Sequence, residues 1–216
     1  MIARFVDWFG RALTNRNTRS YGPHSESDTA VLVLCPQVDV FAENGALSQL
    51  CEVRPDVNEL TEFLKVSRER GWLIIHSPLS WGEATENTSV GSTHYINEIR
   101  RAGILKAGEV GTELADQLCE ESDIVLAERH GLNAFFNSKL LEVLRHNDRS
   151  RLIVVGGVVN ADVDSSARSA VEYDLHTTVV GDLVSAFDRT SYTATLETTL
   201  PRIVHCVLNR NQVCQS

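Results

Sequence analysis

Apolar residues along the chain follow two alternating patterns. Short, nearly continuous apolar runs stand at AVLVLCP (30–36), WLIIH (72–76), DIVLA (123–127), RLIVVGG (151–157) and LHTTVVGD (175–182). Runs of this kind, rich in Val and Ile, predict strands buried on both faces, as in a parallel sheet. Between them the apolar positions recur at helical spacing, which predicts helices near 56–70, 92–101, 111–120, 137–146, 162–173 and 192–208. In the first of these Asp56 follows Pro55 as an N-cap, and Leu60, Phe63 and Leu64 supply the buried stripe. Strand and helix in alternation require right-handed βαβ crossovers. The expected fold is therefore a three-layer α/β domain, a mostly parallel sheet of five or six strands with helices on both faces.

Ahead of the first strand, Ile2, Phe5, Val6, Phe9 and Leu13 recur at helical spacing, and YGPHSESD at 21–28 is polar and turn-rich. This predicts an amphipathic helix and linker over 1–28 and one domain over 29–216. Residues 1–20 carry four arginines against one aspartate, or +3, which leaves −12 on the rest of a chain of formal charge −9. A helix docked on the body or on a second subunit fits this pattern, with an organelle presequence as the alternative. The apolar face of Ile2, Phe5, Trp8 and Phe9 needs cover, so a homodimer or larger homo-oligomer is expected.

Composition narrows the setting. With 216 residues, 43% hydrophobic and 23% charged, the chain has the make-up of an ordinary globular domain and excludes collagen-like and disordered classes. Its acidic balance would repel phosphate backbones, so nucleic acid is not an expected partner. No apolar run reaches the roughly 20 residues of a membrane-spanning helix. Cysteines 35, 51, 119, 206 and 214 form no CxxC pair, which predicts free thiols and a reducing, cytoplasmic setting.

In an open parallel sheet a ligand site lies beyond the carboxyl ends of the strands, which directs attention to 35–39, 76–81, 128–136 and 156–162. Neither a GxxxxGK[ST] loop, a strand-following GxGxxG nor a GxSxG elbow occurs there. What does occur is AVLVLCPQVDVF, ERHGLNAFF and VVGGVVNADVDSSARSA, followed by LHTTVVGDLVSA. In order and spacing these segments resemble the motifs of the isochorismatase-like superfamily, which includes nicotinamidases, other cysteine amidohydrolases and isochorismatases. The resemblance spans about residues 29–190, with Gln37, Asp39 and Phe41 matching the first motif. It implies the three-layer fold, a small-molecule substrate and no cofactor.

The same resemblance exposes three substitutions. Where the family places an Asp base at the end of the first strand, this chain has Cys35; where the family has its Cys nucleophile, it has Asp162. The family's Lys falls on Arg129 when counted back from Ala134 and Phe135, or on Glu128 when counted forward from the strand. Three readings stay open. In one, Cys35 is the nucleophile and Asp162 the base, assisted by Arg129 or His130, and the substrate is an amide or another C–N bond. In another, Asp162 or His130 donates a proton to an isochorismate-type ether. In the third the site is catalytically degenerate and binds a small molecule or a protein partner, with Asp162 an ordinary helix cap and Cys35 a neutral thiol.

The expected catalytic residues are thus Cys35, Arg129, Asp162 and His130, with Asp39, His76, Phe135, Gly157 and Val158 lining the substrate site. The nicotinamidase D-x-H metal motif would fall at 78–80, where Pro, Leu and Ser stand, so no metal is expected. The resemblance also implies a non-proline cis peptide near Gly157 and Val158. Trp81 and His94 are candidates for a lid, and Cys51, Cys119 and Cys206 for the core.

Overall fold

The computed structural model describes residues 24–82 and 93–215. The N-terminal helix expected from Ile2 to Leu13 lies outside the described residues. Six strands form one sheet: β1 (Thr29–Leu34), β2 (Leu73–Ser77), β3 (Ile124–Val125), β4 (Arg151–Gly156), β5 (His176–Val180) and β6 (Cys206–Leu208). Their order is β3-β2-β1-β4-β5-β6, and every pairing is parallel. The helices are α1 (Val38–Phe41), α2 (Val57–Glu69), α3 (His94–Arg101), α4 (Leu140–His146), α5 (Asp164–Glu172), α6 (Arg189–Ala194) and α7 (Arg210–Gln215). This is the three-layer α/β arrangement expected from the alternation of patterns.

Why β1 is the central strand follows from its side chains. TAVLVL is fully buried along its length, and its residues alternate between two cores. Val31 and Val33 pack with Ile74, Ile153 and the α2 stripe of Leu60, Phe63 and Leu64 on one face. Ala30, Leu32 and Leu34 pack with Leu152, Val154, Leu140, Leu144 and Ala167 on the other. At about 25 cal/mol per Å² of apolar surface, such two-sided burial is the main stabilising term. Asp56 caps α2 as predicted, accepting the Asn58 N–H at 2.8 Å.

Two predicted helices are not formed. The segment predicted as helix 111–120 makes only two short 3-10 turns, Val110–Thr112 and Asp116–Leu118. Its backbone is committed elsewhere: the Glu113 carbonyl accepts from Val38 N–H at 3.0 Å and Ala115 N–H donates to the Pro36 carbonyl at 2.9 Å. These bonds hold it as a strap over the end of β1. The predicted helix 192–208 breaks up into α6 and two tighter or wider turns around Pro201, after which Cys206–Leu208 joins β5 as the edge strand β6.

The strand order reverses between β1 and β4, whose following segments leave on opposite faces of the sheet. The crevice this opens at their carboxyl ends is the ligand position of open α/β folds. At the opposite, amino ends of the strands three imidazoles gather. His176 and His205 stack with ring centroids 4.5 Å apart, and His24 meets the edge of Trp72 at 5.6 Å. Burial, reinforced by Arg151, lowers His24 to about 4. Burial and the neighbouring His205 likewise lower His176 to about 4.

The sign of the resulting pH dependence is fixed by these two depressed values. Near neutrality folded and unfolded chains both hold the rings uncharged. Between the ordinary value of 6.5 and about 4, only the unfolded chain takes up these protons, so stability falls as pH falls through that window. Urea midpoints are expected to drop between neutral pH and about pH 5, and His24→Gln with His176→Gln to flatten the slope. An unchanged slope in the double variant would place the titrating groups elsewhere.

Candidate functional site

β1 delivers Cys35 to the crevice. The residue after the strand adopts a left-handed conformation, φ 48°, uncommon for a side chain bearing a Cβ, and its N–H is held by the Ser77 carbonyl at 3.1 Å. β4 delivers the second arm. Gly156 and Gly157 both take positive φ, 76° and 63°, and a π turn over Val159–Val163 then carries Asp162 inward ahead of α5. A Cβ on Gly157 would lie 2.5 Å from Asp162 Oδ2, so only glycine leaves room for the carboxylate.

The third arm comes from the chain beyond β3. Parallel pairing continues past the strands as an isolated bridge between Leu79 and Arg129, with Ser80 N–H donating to the Arg129 carbonyl at 3.0 Å. That register turns Arg129 inward, where it is 4% exposed, and Glu128 outward, where its carboxylate accepts from the Ser80 hydroxyl. Of the two residues the sequence offered for this place, Arg129 therefore faces the crevice.

The three side chains meet. Cys35 Sγ donates to Asp162 Oδ2 at 3.1 Å, while Arg129 Nη2 reaches the same oxygen at 2.8 Å and Cys35 Sγ at 2.9 Å. Asp162 Oδ1 accepts the Val158 N–H at 2.7 Å. Arg129 Nε donates to Ser77 Oγ at 3.2 Å, and Nη1 to the carbonyls of Gly131 and Leu132 at 2.6 and 3.2 Å. All five guanidinium donors thus have an acceptor. Cys35 and Asp162 are each 3% exposed. Burial, with Asp162 adding to it against the pull of Arg129, raises the Cys35 thiol well above its ordinary value.

The other expected residues sit around this cluster rather than in it. His130 turns Nδ1 to the Ser80 carbonyl at 2.9 Å and has no hydrogen bond to Cys35 or Asp162. Asp39 is spent on backbone, accepting from Leu105 N–H at 2.8 Å and Ala46 N–H at 3.3 Å, and so ties the turn after β1 to the segment that follows α3. Gly157 and Val158 do meet the cluster, as the cradle and the N–H donor of Asp162. The peptide bonds there are trans, since no cis peptide occurs among the described residues, and the bend implied by the resemblance is made by the two left-handed glycines instead.

His76 and Phe135 depart furthest from expectation. His76 is fully buried and its Nε2 lies 2.8 Å from Asp123 Oδ2, because strand alternation points it to the α2 face while Ser77 points to Arg129. Phe135 packs into the opposite core against the ring of Tyr173, 5.4 Å away. The exposed aromatic of that loop is its neighbour Phe136, at 75%. Trp81 is loop packing, its indole N–H donating to the Ile104 carbonyl at 2.6 Å.

Sequence reasoning missed Ser77 and Tyr95. The signal for Ser77 was its position at the end of the strand beside β1. Tyr95 had none; burial first, and the charges of Asp162 and Cys35 next, raise its hydroxyl far above the ordinary range. Its ring is 5.7 Å from that of Phe187.

Among the described residues one group has metal-ligand character, His76, Cys119 and Asp123, with donor atoms within 4.8 Å of one another. Its carboxylate is already gripped by Arg68 at 2.9 and 2.6 Å. Burial opposes the Asp123 charge, but hydrogen bonds from Arg68 and His76 outweigh it and hold the carboxyl below its usual range. An entering cation would meet the Arg68 charge, so these residues form an ion-paired buttress between α2 and β3.

An open α/β sheet with three converging side chains at its switch point is the architecture of a small-molecule hydrolase fold. The chain belongs to the isochorismatase family, whose domain model matches residues 29–209. A cysteine hydrolase from Pseudomonas syringae pv. phaseolicola 1448A is similar in structure, with TM-score 0.76 and 19% identity over 90% of this chain and 94% of that one. N-carbamoylsarcosine amidase from Thermoplasma acidophilum matches with TM-score 0.66 and 20% identity, covering 85% and 97%. A nicotinamidase from Bacillus subtilis matches with TM-score 0.65 and 17% identity, covering 84% and 99%. No curated protein sequence matches the chain.

The buried ion pair makes a direct prediction about stability. Asp162→Ala leaves the Arg129 charge without its anion, at an expected cost of about 3–5 kcal/mol, measured from denaturant midpoints. The double variant Arg129→Met with Asp162→Leu is expected to recover only the part of that loss due to the unpaired charge, because it leaves the Gly131 and Leu132 carbonyls and the Val158 N–H without their partners. A cost below about 1 kcal/mol for Asp162→Ala is the value of a solvated pair and would contradict the closed geometry.

Proposed function

We propose that this isochorismatase-family protein binds a small molecule at its strand-end crevice without hydrolysing it, the reaction centre having become a closed ion-paired cluster. The observation that carries this reading is the full commitment of Arg129, five donors to five acceptors, around a thiol that is 3% exposed. A cysteine nucleophile acts as its thiolate. Here burial raises the Cys35 pKa, and Asp162, the base that would have to take the thiol proton, is itself held by Arg129 and the Val158 N–H.

The other parts of a reaction centre are committed as well. An oxyanion needs N–H groups free to receive it, but Val158 N–H is given to Asp162 and Cys35 N–H to Ser77. Acid-assisted ether cleavage needs a carboxyl oxygen free to carry a proton. Both Asp162 oxygens are acceptors instead, from Cys35, Arg129 and Val158.

One observation favours a second reading. The 3.1 Å contact between Cys35 Sγ and Asp162 Oδ2 is the distance a nucleophile and its base require, with their places exchanged between strand and helix. Hydrolysis of a small amide would follow if substrate binding freed the thiolate, and the similar folds include an amidase and a nicotinamidase.

Thiol reactivity separates the two. Native Cys35 is expected to be alkylated by iodoacetamide more slowly than a free thiol of pKa about 8.5, followed by peptide mass spectrometry. Small amides are expected to persist unchanged. Rapid alkylation of Cys35, joined to amide turnover that Cys35→Ala abolishes, would replace the binding reading with the hydrolytic one.

A further inference from the structure

A cavity of about 610 Å³ opens on the outer side of the loop that carries Arg129, between that loop, α3 and the start of α5. This is within the size range of small-ligand sites. Arg129 is in its wall but neither Cys35 nor Asp162 is, so it meets the cluster from the arginine's side. Ile96, Leu132 and Phe136 give it an apolar side, and Arg100, Asn137 and Ser165 a polar one.

Two guanidinium groups border this space and differ sharply. Arg129 has every donor satisfied within the protein. Arg100, part-buried on α3, has Nε and Nη1 sealed from solvent with no hydrogen-bond partner among the described residues. The nearest acid on its own helix, Glu98, is taken by Arg101 in an i,i+3 pair. Glu128, at the cavity rim, accepts from Ser80. A partly buried cation without an anion is costly, and Arg100 brings that charge to the cavity wall. Beside it Phe136 leaves 75% of its surface in water, an aromatic wall largely open to solvent.

We infer that this cavity is a binding site for a small organic carboxylate, its acid group against Arg100 and its apolar body against Phe136, Ile96 and Leu132. The inference deepens the binding reading above by naming the class of molecule, and rests on that reading only in taking this end of the sheet as the ligand's entrance. The unpaired charge supplies the affinity for the anion. The exposed ring selects an aromatic or aliphatic body over a bare inorganic ion.

Isothermal titration of the full chain with benzoate, benzamide and inorganic phosphate tests it. Benzoate is expected to bind about tenfold or more tighter than its neutral isostere benzamide, the scale of one charge-assisted hydrogen bond. It should also bind more tightly than phosphate. Arg100→Met is expected to weaken benzoate about ten- to hundredfold while its melting temperature is unchanged or higher, since the substitution removes an unsatisfied charge. The comparison of benzoate with benzamide needs no variant, so it holds even if Arg100→Met folds poorly. Equal affinity for benzamide, absence of benzoate binding, or benzoate affinity unchanged in a folded Arg100→Met would overturn the site. Phosphate binding as tight as benzoate would overturn the assignment of an organic ligand. Release of ammonia from benzamide would overturn the non-hydrolytic reading alone, because the carboxylate site is judged on benzoate affinity and its dependence on Arg100.

Discussion

A single buried guanidinium organises the end of the sheet. Arg129 draws together the turn after β1 through Cys35, the end of β2 through Ser77, its own loop through Gly131 and Leu132, and the π turn before α5 through Asp162. Removing a guanidinium from water costs several kcal/mol, which is recovered only where every donor and the charge itself are met. That requirement explains the local backbone. The left-handed Cys35, the paired glycines at 156 and 157 and the bridge at Leu79 each place an acceptor or clear the room for one.

The exchange of Asp and Cys between strand end and helix start changes the electrostatics without changing the contact. An anion beside the first turn of a helix is stabilised by free N–H groups and the helix dipole, and Val158 N–H reaches Asp162 Oδ1 at 2.7 Å. With the carboxylate on that arm, the thiol on the strand arm is left buried beside an anion, an environment that opposes its ionisation. A cysteine at the helix start would receive the opposite treatment, since helix N-termini lower thiol pKa values. The same two side chains in the reverse order therefore set a different balance between charged and neutral forms.

How much of this was legible in the sequence depends on which interactions decide each position. β1, β2, β4 and β5 were legible because burial on both faces leaves a continuous apolar run, and the meeting of Cys35 with Asp162 was expected from the family resemblance, since the order of the strands is not written in their apolar pattern. The side to which a residue points is set by alternation along the strand, and there a single step matters: His76 and Ser77 are neighbours, yet one buttresses α2 and the other holds Arg129. The choice between Glu128 and Arg129 was of the same kind and is decided by a one-residue bridge to Leu79. The strap over 110–118 and the edge strand β6 were not legible, because long-range backbone pairing overrides their local helical spacing. Arg100 carries no motif, and Phe136 closes the ERHGLNAFF segment, but nothing in the sequence shows that the first lacks an anion and the second stays exposed.

That contrast bears on how a closed cluster and an open cavity coexist within one loop. Residues 128–137 present Arg129 to the interior and Phe136 to solvent, so the segment that carries the closed cluster also forms a wall of the adjoining cavity. Because Arg129 is fixed by two carbonyls of the same loop, any ligand pressing on Leu132 or Phe136 acts on a backbone whose geometry is tied to the ion pair. Stability of the cluster and occupancy of the cavity are then linked: a molecule that binds the loop in its present shape also favours the closed pair, to the extent of its preference for that shape.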